Sequence, residues 1–115
     1  MVGSIEELLP VLLEFRSERD WEQFHLPKEL AAAISIEASE LQELFLWREI
    51  ESTDDVKLDS TRMHEIRDEV ADILIYLLFL SHDLGINLSV AVRRKLKKNR
   101  EKYPKEEYHG RFRKP

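Results

Sequence analysis

A chain of 115 residues, 43% hydrophobic and 36% charged, has room for one compact domain and hardly for a second. With only 3 Gly and 4 Pro the composition disfavours a many-turned β-sandwich or barrel, and zero Cys excludes a disulfide framework, a Cys-ligated metal site and a thiol nucleophile. The net charge of −5 hides a polarity: Arg93 to Lys102 holds seven basic residues against one acid, a local +6 that leaves −11 for the rest. The class predicted is all-α. The longest apolar run, Ile73 to Leu80, is far short of the roughly 20 residues a membrane helix needs, and the N-terminus lacks a basic segment leading into an apolar one. A cytoplasmic protein with no membrane partner is expected.

Ser4 with Glu7 three residues on forms a capping-box pattern, and the apolar positions after it predict a first helix from about Ile5 to Arg19, with Pro10 loosening its start. Asp20 to Leu26 is aromatic and polar without a clean period. Pro27 suits the first position of a second helix, predicted to reach about Ile50. Ser52 to Asp59 reads as a polar link, and Asp59 or Ser60 as the cap of a third helix running to about Asp83, stopped by Gly85. Asn87 or Ser89 starts a fourth helix that ends before Pro104. Four helices with short links predict a bundle within residues 1–104, and residues 105–115 read as a weakly ordered charged tail.

The chemistry lies in an echo between the second and third helices, Glu37-x-x-Glu40 and Glu69-x-x-Asp72. At 100° per residue Leu30, Leu41 and Leu44 fall within about 40° of Glu37, and Ile73, Tyr76 and Leu80 within about 40° of Glu69. Glu40 and Asp72 flank the same two stripes. A single such acid pair usually marks a solvated face, but two pairs on the apolar arcs of neighbouring helices do not. Buried carboxylates need protons or a cation, and oxygen-only ligands favour a hard ion, with Mg2+ first because it also takes substrate phosphates. A di-iron bundle would want Glu-x-x-His pairs projecting from long helices. The two present, Glu22-x-x-His25 and Glu106-x-x-His109, fall in the aromatic segment and the tail.

A metal beside phosphates requires cations to hold them, and Lys95, Asn99 and Lys102 share one face of the basic helix. Trp21, Trp47 and Tyr76 are candidates to hold a base, and His25 to donate to a base carbonyl or a phosphate.

KELAAAISIEASELQELFLW followed by EIRDEVADILIYLLFL resembles the MazG-type all-α nucleotide pyrophosphohydrolases, whose motif is ExxE on one helix and ExxD on the next. Glu18-Arg-Asp-Trp-Glu-Gln-Phe-His25 places the likeness nearest the short dCTP pyrophosphatase branch. It continues through Lys95-Leu-Lys-Lys-Asn99 and Lys102-Tyr103-Pro104, covering roughly residues 5 to 104. The resemblance implies Mg2+-dependent conversion of a deoxynucleoside triphosphate, dCTP or a modified dCTP, to monophosphate and pyrophosphate, clearing unwanted nucleotides. By position it implies that Glu37, Glu40, Glu69 and Asp72 hold the metal. It likewise implies that Trp21, Glu22, Gln23, Phe24, His25, Trp47 and Tyr76 surround the nucleoside, and that Lys95, Asn99 and Lys102 reach the phosphates. Mammalian dCTP enzymes of the family carry a histidine where this chain has Leu12, which leaves the choice of base open.

The resemblance also implies a homotetramer built from paired dimers, with sites completed across subunits. The run Ile73 to Leu80, apolar on nearly all sides, agrees with a helix buried against a partner. Glu37, central in its stripe, is the expected activator of the attacking water. The opposing expectation is a non-enzymatic helical module that binds nucleic acid through its basic last helix. The buried acids speak against stable nucleic-acid binding, since unneutralised they repel a phosphate backbone.

Overall fold

The computed structural model describes residues 4–111, and every regular element among them is helical. Helix α1 spans Ile5–Glu18, α2 Pro27–Glu43, α3 Thr53–Lys57, α4 Ser60–Asp83, α5 Leu88–Lys102 and α6 Lys105–Tyr108, with a 3-10 turn at Glu22–Phe24. Pro27 opens α2 at its first turn. The Arg62 N–H donates to the Asp59 side chain at 3.1 Å to start α4, and the Val90 N–H donates to that of Asn87 at 3.1 Å to start α5. At the end of α4, Gly85 takes the left-handed conformation at φ +67°. Its N–H donates to the His82 carbonyl at 3.1 Å and that of Ile86 to the Ser81 carbonyl at 2.8 Å, a full Schellman stop.

Four local expectations are corrected. Ser4 caps α1 through its carbonyl, which accepts the Glu7 N–H at 3.1 Å, while its side chain makes no capping bond. The capping box forms instead in the segment read as a link: Asp55 N–H donates to Ser52 Oγ at 3.1 Å and Ser52 N–H to Asp55 Oδ2 at 3.2 Å, starting α3. Helix α2 stops at Glu43 rather than near Ile50, because tighter turns follow, Trp47 takes φ 62° and the buried Arg62 claims the Leu44 carbonyl at 3.1 Å. In the tail, α6 is ordered by the edge-on pair Tyr103 and Tyr108, centroids 5.1 Å apart; residues 112–115 of that expected tail lie outside the described ones.

Helices α2 and α4 pack along one another, α1 and α3 each lie against α4, and α5 packs extensively on no other described helix. The turn after α4 swings α5 away by 100°. One copy is therefore an α2–α4 core with α1 and α3 laid on it, and does not by itself close the four-helix bundle the sequence predicts. Leu30, Leu78 and Phe79 are its buried apolar residues, whereas Val11, Ile36, Val70, Leu77 and Val92 remain exposed. The radius of gyration is 17.6 Å, where a compact chain of this length has about 13 Å. No single described helix is long and apolar enough to cross a membrane.

Candidate functional site

The α2–α4 packing brings Glu37, Glu40 and Glu69 together: each offers a carboxylate oxygen, and the three lie within 4.8 Å of one another. Glu37 and Glu69 are half-buried and Glu40 is exposed, as their places at the centre and edge of the apolar stripes predict. The Oε2 atoms of Glu37 and Glu69 are buried without a hydrogen-bond partner. Asp72 is half-buried outside this trio, near enough for its charge to act on Glu37.

Carboxylates this close repel unless a proton or a cation comes between them. The Glu69 carboxyl beside it, then burial, pushes Glu37 above the ordinary carboxylate range, and the neighbouring Glu37 carboxyl pushes Glu40 upward in turn. No basic side chain ion-pairs with the trio among the described residues. Three clustered carboxylates, two of them with an orphaned buried oxygen, fit a hard divalent cation and offer nothing to a soft one.

One helical turn beyond Asp72, Tyr76 begins an aromatic wall. Its ring meets His25 edge-on at 6.3 Å, and His25 packs on Phe79 at 5.2 Å and near Trp21 at 6.2 Å, with Phe15 against Trp21 at 5.6 Å. Burial, with Glu37 and Asp72, raises Tyr76, so its phenol keeps its proton. Burial and then Arg16 lower His25, which is an uncharged imidazole at neutral pH. The segment is shaped by Asp20, at φ 52°, whose carbonyl and carboxylate accept Gln23 Nε2 at 3.1 and 2.9 Å. Trp21, His25 and Tyr76 are thereby gathered beside the acids.

Other expected site residues stand apart in one copy. Glu22 is exposed, Gln23 serves the turn, and Phe24 faces outward. Trp47 is 99% exposed on the loop after α2. Lys95 and Lys102 are exposed and Asn99 half-buried on the diverging α5, where Lys102 lies 5.3 Å from the Tyr103 ring.

Two buried arginines were not singled out from the sequence. Arg16 donates from both terminal nitrogens to Asp83, at 2.8 and 2.9 Å, and lies 4.6 Å from the Phe79 centroid. Arg62 donates to both Glu51 carboxylate oxygens and to the Leu44 carbonyl, and its Nε sits 3.2 Å from Asp59 Oδ2 without hydrogen-bond alignment. The signal was present: Leu9 and Leu12 lie within about 40° of Arg16 on α1, the same central placement that marks Glu37.

Residues 32–114 match the MazG-like family. The chain is 38% identical over 101 residues to dCTP pyrophosphatase 1 of Bos taurus and 36% identical to that of Homo sapiens, in each case over 88% of its own length. It spans about 60% of the length of these curated relatives. The crystal structure of a pyrophosphatase from Archaeoglobus fulgidus superposes with a TM-score of 0.79 at 46% identity, covering 90% of this chain and 95% of that one. The family match and the similarity to these relatives each extend over most of the chain: the chain belongs to the MazG-like family.

Proposed function

We propose that this chain hydrolyses deoxynucleoside triphosphates, dCTP or a 5-substituted dCTP first, to the monophosphate and pyrophosphate, with Mg2+ held by Glu37, Glu40, Glu69 and Asp72. The observation that carries this is the pair of orphaned carboxylate oxygens, on Glu37 and Glu69, buried between α2 and α4 beside the His25–Tyr76 wall. A divalent cation held there would supply the charge that lets a triphosphate approach four acids and would offset the negative charge growing as the phosphoanhydride bond breaks.

The chain's own residues do the rest. Trp21, His25 and Tyr76 receive the nucleoside, with Glu22, Gln23 and Phe24 on the rim. Glu37, the more buried carboxylate of its pair, accepts the proton of a water whose oxygen bonds to phosphorus as the phosphoanhydride bridge between the α and β phosphoryl groups breaks, giving monophosphate and pyrophosphate. The mammalian relatives named for dCTP support a cytosine base.

Trp47, Lys95, Asn99 and Lys102 complete the site in a homotetramer, a dimer of dimers. Supporting this are the exposed apolar side chains, the large radius of gyration and the diverging α5. The test is a panel of natural and 5-substituted triphosphates with Mg2+ and pyrophosphate detection, repeated in excess EDTA. Turnover without any divalent ion would overturn the metal assignment. The exposed basic α5 also fits nucleic acid; salt-dependent retention of DNA without nucleotide turnover would favour that function instead.

A further inference from the structure

We infer that the Arg16–Asp83 ion pair positions the base end of the site, fixing Trp21 and His25 against Tyr76 and so setting affinity for the nucleobase. The inference rests on the nucleotide function proposed above and names the residues that shape one part of that site. Arg16 is 5% exposed, and its fork to Asp83 fixes the direction of its guanidinium, which lies against Phe79. The same Phe79 ring supports His25. From the main chain, the Arg16 carbonyl accepts the Trp21 N–H at 3.1 Å, and the Trp21 carbonyl then accepts the N–H groups of Phe24 and His25 at 2.9 and 3.1 Å. One residue of α1 thus fixes both the entry of the loop and the ring on which its histidine rests.

Stability alone does not account for a buried arginine held by a partly solvated partner here, because well-packed apolar residues of the same volume serve stability as well or better. What the pair adds is direction and field. His25 faces Arg16 from α1, Asp83 and Tyr76 from α4, and Glu22 from its own turn; burial and Arg16 oppose its charge, Asp83 and Glu22 favour it, and the balance lies with the neutral form. Its Nδ1 is buried without a hydrogen-bond partner, an atom that a base edge can satisfy. A charged imidazole would instead attract the triphosphate to the base end, so a neutral His25 also enforces the orientation of the nucleotide.

The experiment compares Arg16→Gln, Arg16→Lys and Asp83→Asn with wild type. Three quantities are read: dCTP kinetics with Mg2+, binding of a non-hydrolysable dCTP analogue, and the His25 titration midpoint by NMR. Arg16→Gln should raise KM and weaken the analogue about tenfold while kcat stays within about threefold, the signature of lost positioning in ground and transition states alike. It should also raise the His25 midpoint, whereas Asp83→Asn should lower it and still raise KM. Arg16→Lys keeps the charge without the fork, so it should restore the midpoint and only part of KM.

Unchanged KM, analogue binding and midpoint, together with a lower melting temperature, would reduce the pair to a staple between α1 and α4 and overturn the inference. If Arg16→Gln does not fold, Asp83→Asn decides by the same readouts. A wild-type protein that neither turns over nor binds any nucleotide would instead overturn the nucleotide function, and the inference about its base end with it; the midpoints would then report the field at His25 alone.

Discussion

Arg62 and Asp83 stand three heptads apart on α4, and each is tied by a charge-assisted fork to another part of the chain, Arg62 to Glu51 and Asp83 to Arg16. Glu69 and Tyr76 occupy the two positions between them at the same spacing of seven. A seven-residue step drifts only about 20° on a straight helix, so one stripe of α4 carries an anchor, a metal-ligand candidate, an aromatic wall and a second anchor. The anchors lock the helix that presents the chemistry, and a site on a locked helix holds its geometry better than one on a loop.

Glu69→Ala and Asp72→Ala should keep the helical circular dichroism of wild type and abolish turnover with Mg2+. Removing one acid from a repelling cluster relieves strain in the metal-free protein while removing a ligand. Loss of the fold in these variants, with Mg2+ affinity intact, would contradict the metal assignment.

The pH dependence of stability should have two limbs of opposite origin. Glu37 and Glu40 are raised in the folded chain, so the stability they lend is complete below the ordinary carboxylate value of 4.5 and is lost as pH rises through their raised values. Asp83 and Glu51 are lowered by Arg16 and Arg62, so their contribution is complete above the ordinary range and is lost as pH falls through their depressed values. Melting temperatures without divalent ions should therefore decline on both sides of mildly acidic pH. Mg2+ should lift the alkaline limb, Glu37→Gln should flatten it, and Asp83→Asn should flatten the acid limb.

Asp83→Asn should also lower stability by about 2 kcal/mol, the scale of a hydrogen bond to a charged group, because Arg16 remains buried with its charge while Asp83 is partly solvated. Denaturant melts at neutral pH measure this. A change below about 0.5 kcal/mol, the scale of ordinary surface substitutions, would mean that Arg16 finds water or another acceptor.

The helices and acid pairs were legible in the sequence because they rest on local periodicity. Pro27, Asp59, Gly85 and Asn87 mark boundaries where the structure has them, and the central placement of Glu37 and Glu69 foretold their burial. What escaped depends on contacts distant in sequence. The early end of α2 is enforced by Arg62, 18 residues beyond the carbonyl it claims, and the Arg16–Asp83 fork spans 67 residues. The apolar run Ile73 to Leu80 did mark a helix with more apolar surface than one copy covers, and Leu77 is exposed there; the direction in which α5 leaves α4 was not marked by any local pattern.

Cytosine deoxynucleotides should be preferred, and Trp21→Ala, His25→Ala and Trp47→Ala should raise KM more than they lower kcat. Stacking acts in both ground and transition states, so its loss is mostly uniform binding. The Trp47 effect carries extra weight: with its side chain 99% exposed in one copy, a raised KM in Trp47→Ala requires a site completed by another copy, and its absence would separate Trp47 from the base. Equal efficiency on dATP, dGTP and dCTP would reject the cytosine preference and leave the hydrolytic class intact.

Glu37 should be the residue that activates the attacking water. It is half-buried where Glu40 is exposed, and so the less hydrated of the two. Desolvation makes it the better proton acceptor, yet the same centrality makes it a good metal ligand, since a carboxylate can bind an ion with one oxygen and orient a water with the other. Glu37→Gln separates the two roles, because it keeps an oxygen donor and the side-chain volume while removing the basic charge. The variant should hold Mg2+ and a non-hydrolysable dCTP analogue within about tenfold of wild type and lose about two to four orders of magnitude in kcat, the scale of general-base removal. If Glu40→Gln behaves in this way while Glu37→Gln chiefly loses the metal, the exposed carboxylate is the base, and burial at Glu37 serves the ion alone.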